Sequence, residues 1–134
     1  MGTMVVSPSG APALNTNRTL FSLIGANLNS TADQAFSKLF SFTRYRITEI
    51  VVANASTNLA AMVGTLAVRT ATGGGGTAIV AAQNLTALTG ADLMILCVIA
   101  NGDYRNTATL YAVLSAGLGI AGACDIYING YAIS

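Results

Sequence analysis

The residues of this 134-residue chain that could do acid–base, nucleophilic or metal chemistry are few. The acids are Asp33, Glu49, Asp92, Asp103 and Asp125; the cations are Lys38 and the arginines Arg18, Arg44, Arg46, Arg69 and Arg105; the thiols are Cys97 and Cys124; histidine is absent. Without an imidazole the chain lacks the commonest general base, the Ser-His-Asp and Cys-His constellations, and most zinc and iron sites. A glycosidase needs two carboxyls meeting across a cleft. Here the acids are widely spaced, and four Phe, five Tyr and no Trp give no evident aromatic cleft for a sugar. No catalytic residue, cofactor or small-molecule substrate is assigned, and the chain is expected not to be an enzyme.

Three local patterns invite a chemical reading and are better read as structure. Gly73–Gly76 is followed by Thr77 without the lysine of a phosphate-binding loop, so it reads as a flexible turn. Asn101-Gly102-Asp103 with Asp92 could supply oxygen ligands to calcium, but a turn with solvated carboxylates is the plainer expectation, and no metal site is assigned. Cys97 and Cys124 sit in apolar segments; they can pair, but two buried free thiols acting as small hydrophobes are expected. The Asn-x-Ser/Thr triplets at Asn17, Asn29, Asn54 and Asn84 follow from an Asn/Ser/Thr-rich composition.

Charge restricts the partners. Net charge is +1 and the arginines are scattered, so no basic stripe meets a phosphate backbone and nucleic acid is not an expected partner. Residues 107–124 are uncharged over a length that meets the threshold for a spanning helix, but Gly117, Gly119 and Gly122 read as a turn between two strands, so no membrane association is expected. Met1–Leu14 lacks a positive n-region, so no secretory signal is expected. Apolar residues make 53% of the chain and charged residues 8%, against roughly 25% charged in an ordinary soluble domain. A surface so poor in charge favours association, and much of it is expected to be covered by neighbours.

The elements that would position these residues are short and β-like. Residues 1–17 read as an extended N-terminal arm, because Ser7-Pro8-Ser9-Gly10-Ala11-Pro12 can continue neither a helix nor a central strand. Residues 18–134 read as one β-sandwich domain. Its runs are Thr19–Gly25, Arg44–Ala53, Ala60–Thr70, Thr77–Ala82, Asp92–Ala100, Thr107–Leu114, Ala123–Ile128 and, after an Asn129-Gly130 turn, Tyr131–Ile133. Ala32–Phe40 fits a short helix as well as a strand. Residues 60–70 and 77–82 form a hairpin, 92–100 a strand covered on both faces, and 107–114 and 123–128 a pair across the glycines. In Arg44–Ala53, Tyr45 and Ile47 share one face and Ile50 and Val52 the other, which predicts burial on both sides or a bulge. The fold class is therefore all-β: a jelly-roll-like two-sheet antiparallel sandwich of about eight strands with an extended N-terminal arm. An immunoglobulin-like sandwich is the runner-up, without its Cys…Trp…Cys pattern.

Pro8 and Pro12 in the arm, and Arg44 and Arg46 on one face of a strand, are the candidate interface residues. The two arginines can pair with Glu49 or Asp125, or with acids on a neighbour. Several segments carry a resemblance: Ala26–Gln34, Tyr45–Ser56, Gly75–Ala81, and the C-terminal Leu110-Tyr111, Gly119 and Ala123–Gly130. Over roughly residues 19–131 the chain resembles a family of small tailed-phage and prophage virion structural proteins. It departs from the family pattern at Ser115-Ala116 and at Ala123-Cys124. The resemblance implies a capsid cement or decoration protein in the phage particle, a homotrimer bound to the major capsid protein and assembled in the host cytoplasm, with a tail, baseplate or fibre module as the alternative. Two other classes stay open. A carbohydrate-binding sandwich would cluster Tyr104, Tyr111, Tyr127 and Tyr131 on an open face, and a carrier of apolar ligands would have a hollow interior.

Overall fold

The computed structural model describes residues 17–133. These form nine strands and, among the described residues, no helix. The strands are β1 (Asn17–Asn27), β2 (Gln34–Ala35), β3 (Ser37–Lys38), β4 (Tyr45–Ala53), β5 (Thr65–Arg69), β6 (Ala78–Asn84), β7 (Met94–Leu96), β8 (Tyr111–Leu114) and β9 (Ala123–Ala132). The arm reading, with Pro8 and Pro12, falls on residues outside those described.

Two antiparallel sheets run in the orders β3-β1-β9-β4-β7 and β2-β8-β5-β6. Setting aside the short edge strand β3, the pairing is nested: β1 with β9, β2 with β8, β4 with β7, β5 with β6. That is one long antiparallel hairpin, folded at the β5–β6 turn. Rolling it up brings β4 against β9 and β5 against β8 and splits it into two facing sheets. The wrapping is that of a jelly roll.

The hairpin tip is the glycine run. Gly73, Gly74 and Gly76 have φ of 66°, 75° and 65°, a left-handed region that residues with a Cβ rarely occupy. The turn is tied down rather than free: Asp33 accepts from the Gly73 amide (3.0 Å), Thr70 Oγ1 from the Thr77 amide (2.8 Å), and Arg69 donates to the Gly75 carbonyl (3.1 Å).

Alternation decides which side chains enter the core. In β4, Tyr45, Ile47, Ile50 and Val52 are all buried. Plain period-two alternation would put the first two and the last two on opposite faces. A register shift between Ile47 and Glu49 against β9 adds the residue that reconciles them, so the bulge reading holds. Next to this bulge, Tyr45 packs edge-on against Phe21 (5.2 Å between centroids) and Phe42 (5.5 Å), and its hydroxyl donates to the Thr107 carbonyl (2.8 Å). Burial pushes the Tyr45 hydroxyl pKa up to about 12.

One open alternative is decided and three expectations are corrected. Residues 32–40 make the edge strands β2 and β3, because Ala32, Ala35 and Leu39 stay exposed, Phe36 is buried and Phe40 packs partly against the core, which is not the single apolar face of a helix. The segments 107–114 and 123–128 do not pair: β8 lies between β2 and β5 in one sheet, β9 between β1 and β4 in the other. Asn129-Gly130 is not a turn; β9 runs straight through it. Gly130 is there because β4 passes so close that a Cβ would clash with the Arg46 carbonyl. Finally, 92–100 contributes only the three residues of β7, an edge strand that is not covered on both faces.

Candidate functional site

Two surfaces stand out, both on the β1-containing sheet. The first is the β7 edge. The Cys97 amide donates to the Ile50 carbonyl (2.8 Å), so the backbone groups of Met94 and Leu96, which alternate with it, point to the open side. Their side chains share the outer face with Val98, and the three are 63%, 56% and 75% exposed. Leu96 is in register with Val51, and Val51 with Tyr127, so an apolar row crosses three strands. The Gln83 side chain accepts from the Val98 amide (2.8 Å) and covers one rung of the edge.

The second is a groove of about 370 Å³ lined by Arg46, Ile47, Thr48, Ile99, Gly102, Tyr104 and Tyr131. Arg46 points outward from β4 because its neighbours Tyr45 and Ile47 point inward. Its cross-strand partner is Tyr131. Tyr104 comes from the loop before β8, which is fastened at both ends. Upstream, the Ala100 amide donates to the Ile79 carbonyl (2.8 Å) and the Asn101 side chain to the Ala78 carbonyl (2.7 Å). Downstream, the Arg105 amide and carbonyl both bond the Tyr45 backbone (2.8 and 2.9 Å). A residue one step from that bridge falls beside Arg46, and the Arg46 guanidinium lies 5.5 Å from the Tyr104 ring centroid, within cation–π range. Thr48 at the rim donates to the Asn17 side chain (2.9 Å) and so holds the start of β1 against the groove.

Of the candidate interface residues, Arg46 is in this groove. Arg44 lies just before β4, exposed; its carbonyl accepts from the Ile133 amide (2.7 Å), which fixes the end of the chain beyond β9. The two acids proposed to pair with these arginines are engaged elsewhere. Glu49 accepts from the Asn129 side chain (2.8 Å). Asp125 accepts from the Gly25 amide and the Asn54 side chain (both 2.9 Å), pinning the irregular stretch of β1. Asp125 also helps raise the Tyr127 pKa, after partial burial.

The remaining chemical candidates have structural employment. Asn101 ties its loop to β6, and among the described residues no three His, Cys, Asp or Glu side chains converge on a point that could hold a metal ion. Cys97 and Cys124 are free, buried thiols, and burial pushes both pKa values up to about 12. Between the sheets, a cavity lined by Leu28, Leu66, Leu85 and Ile126 measures about 10 Å³, space for a single water and not for an apolar ligand. Among the described residues no helix is long and apolar enough to cross a membrane.

The sequence named Arg46, Tyr104 and Tyr131 separately. It did not show that they meet, because each comes from a different strand or loop. Comparison with known proteins adds no assignment: no family model, no curated protein and no solved structure matches the chain.

Proposed function

We propose that the protein is a non-enzymatic virion structural protein, a cement or decoration subunit of a tailed-phage head that acts by associating with its own copies and with the major capsid protein. The observation that carries this reading is the β7 edge: among the described residues Met94, Leu96 and Val98 stand largely exposed in a row along the open edge of the sheet, on a chain with only 8% charged residues. A lone soluble domain blunts such an edge with charge, whereas a subunit covered by neighbours has no need to. The jelly-roll body supports the reading, since closed homomeric packing is the general habit of repeated subunits. The test is co-sedimentation of the purified chain with phage heads that lack it. Saturable binding at a fixed ratio to the capsid protein supports a head location; binding to tails alone moves the protein to the tail, baseplate or fibre alternative.

A carbohydrate-binding sandwich is the second reading, favoured by Tyr104 and Tyr131 flanking one groove with Arg46 between them. Tyr111 and Tyr127 are not in that groove, so the platform is smaller than a four-tyrosine face. A glycan array decides it: binding lost on Tyr104→Ala establishes the sugar reading, and an array with no signal removes it.

A further inference from the structure

We infer that two copies of this chain join edge to edge through β7, antiparallel about a two-fold axis at Leu96, with Asp92 of each copy seated beside Arg46 of the other. The inference rests on the assembly reading above and names the partner of the β7 edge and its register.

The edge carries opposite charges at matched distances from its centre. Leu96 turns its backbone groups to the open side and its side chain to the outer face, between Met94 and Val98. Asp92, exposed in the turn before β7, precedes Leu96 by four residues. Beyond Val98 the chain leaves the sheet, where the Ala100 amide bonds the Ile79 carbonyl. Thr48 and Arg46 on β4 are left without a β7 rung beside them, and there the groove opens. Arg46 precedes Val51, the cross-strand partner of Leu96, by five residues, and the bulge between Ile47 and Glu49 takes up one of them. An acid and a cation thus stand about four rungs, roughly 13 Å, to either side of Leu96.

Reversed about Leu96, this strip is complementary to itself. Leu96 meets Leu96, Met94 meets Val98, and Asp92 reaches the groove that holds Arg46, each contact made twice as an isologous interface requires. The two Leu96 residues exchange both backbone bonds, and each Met94 amide takes a Val98 carbonyl; the Val98 amide is already bonded to Gln83. The axis is normal to the sheet, so the outer faces stay on one side and the row Tyr127–Val51–Leu96 continues into the second copy. Within one chain Asp92 and Arg46 lie on opposite sides of Leu96, roughly 26 Å apart along the sheet, so they meet only across the interface. No charge or proline stands between Asp92 and Asp103 to guard the edge against such pairing. The contact joins copies in pairs; where other surfaces close a trimer, it links one trimer to the next.

The experiment is a charge exchange on full-length chains. Asp92→Arg and Arg46→Asp, both at exposed positions, should each raise the dissociation constant of the multimer about tenfold, and the double variant Asp92→Arg/Arg46→Asp should return it to within about threefold of the wild type. Circular dichroism checks that each variant keeps the fold. A second, covalent arm is Leu96→Cys: the two Cα atoms stand about 5.5 Å apart in the paired edge, within disulfide reach, and both native thiols are buried, so oxidation should join the chains in pairs. Single exchanges without effect, or a double variant no tighter than the singles, overturn this inference. So does a multimer in which Leu96→Cys stays unlinked, whether another partner or the chain's own residues 1–16 cover the edge. Each of these results leaves the assembly reading standing. A wild type that stays monomeric in solution and on heads overturns both.

Discussion

Replacing Gly130 with alanine should destabilise the fold far more than the removal of one glycine from a strand usually would. A Cβ at this position would clash with the carbonyl oxygen of Arg46 and lie 3.0 Å from the Ile47 Cα. Both belong to β4, and β9 cannot retreat from it, because β1 is paired to its other side. Overpacking of this kind costs about 1–3 kcal/mol. Loosening the adjoining ladder hydrogen bonds adds about 1 kcal/mol. The stiffer unfolded chain returns about 0.4–1 kcal/mol. The net loss is about 1–4 kcal/mol, centred near 2. For a domain of this length that corresponds to a fall in Tm on the order of 10 °C. The assay is thermal unfolding followed by far-ultraviolet circular dichroism, with Gly90→Ala as control. At Gly90 an added Cβ meets nothing within 4 Å, and its Tm should stay close to that of the wild type. If Gly130→Ala melts with the wild type, the close β4–β9 approach is not what holds a glycine in the middle of β9.

Three further outcomes follow from the same packing. Met94→Lys and Leu96→Lys should each leave stability within about 0.5 kcal/mol, because the side chains are exposed, yet weaken self-association or head binding; sedimentation checks this. Cys97 and Cys124 should be inert to a thiol reagent at pH 8 in the native protein and both react in denaturant, since burial holds each thiol protonated to about pH 12. Stability should be unaffected by these groups below pH 9 and decline between about pH 9 and 12. There the unfolded chain releases protons from thiols of ordinary pKa 9.0 and a tyrosine of 10.0, while the folded chain retains them; denaturant titrations across that range measure the slope, and Tyr45→Phe should reduce it.

The fold class was legible because its signals are local. β-branched runs such as Ile47–Val52, the glycine turn after Arg69 and the regular turn punctuation between short apolar runs all act over a few residues, and they led to a two-sheet sandwich. Even the β4 bulge could be read, from a change of buried face within one strand. The errors are long-range. Asn129-Gly130 has the composition of a hairpin turn, and only the approach of β4, more than eighty positions earlier in the chain, turns it into strand. The apolar run Leu93–Ile99 has the hydropathy of a central strand, but hydropathy does not distinguish burial within one chain from burial between chains. The run ends at an edge, where Ile95, Cys97 and Ile99 face the core and the apolarity of Met94, Leu96 and Val98 is surface. The groove was invisible for a related reason. Arg46, Tyr104 and Tyr131 are brought together by a strand pairing and by the Tyr45–Arg105 bridge, neither of which leaves a mark in the spacing of the residues.

The most direct test of the claim that this protein works by assembling is its mass in solution, measured by light scattering across a range of concentrations. The account predicts a stable multimer, with a trimer near 41 kDa, three times the 13.6 kDa chain. A single species of 13.6 kDa at every concentration, with the β7 edge left in water, would contradict it.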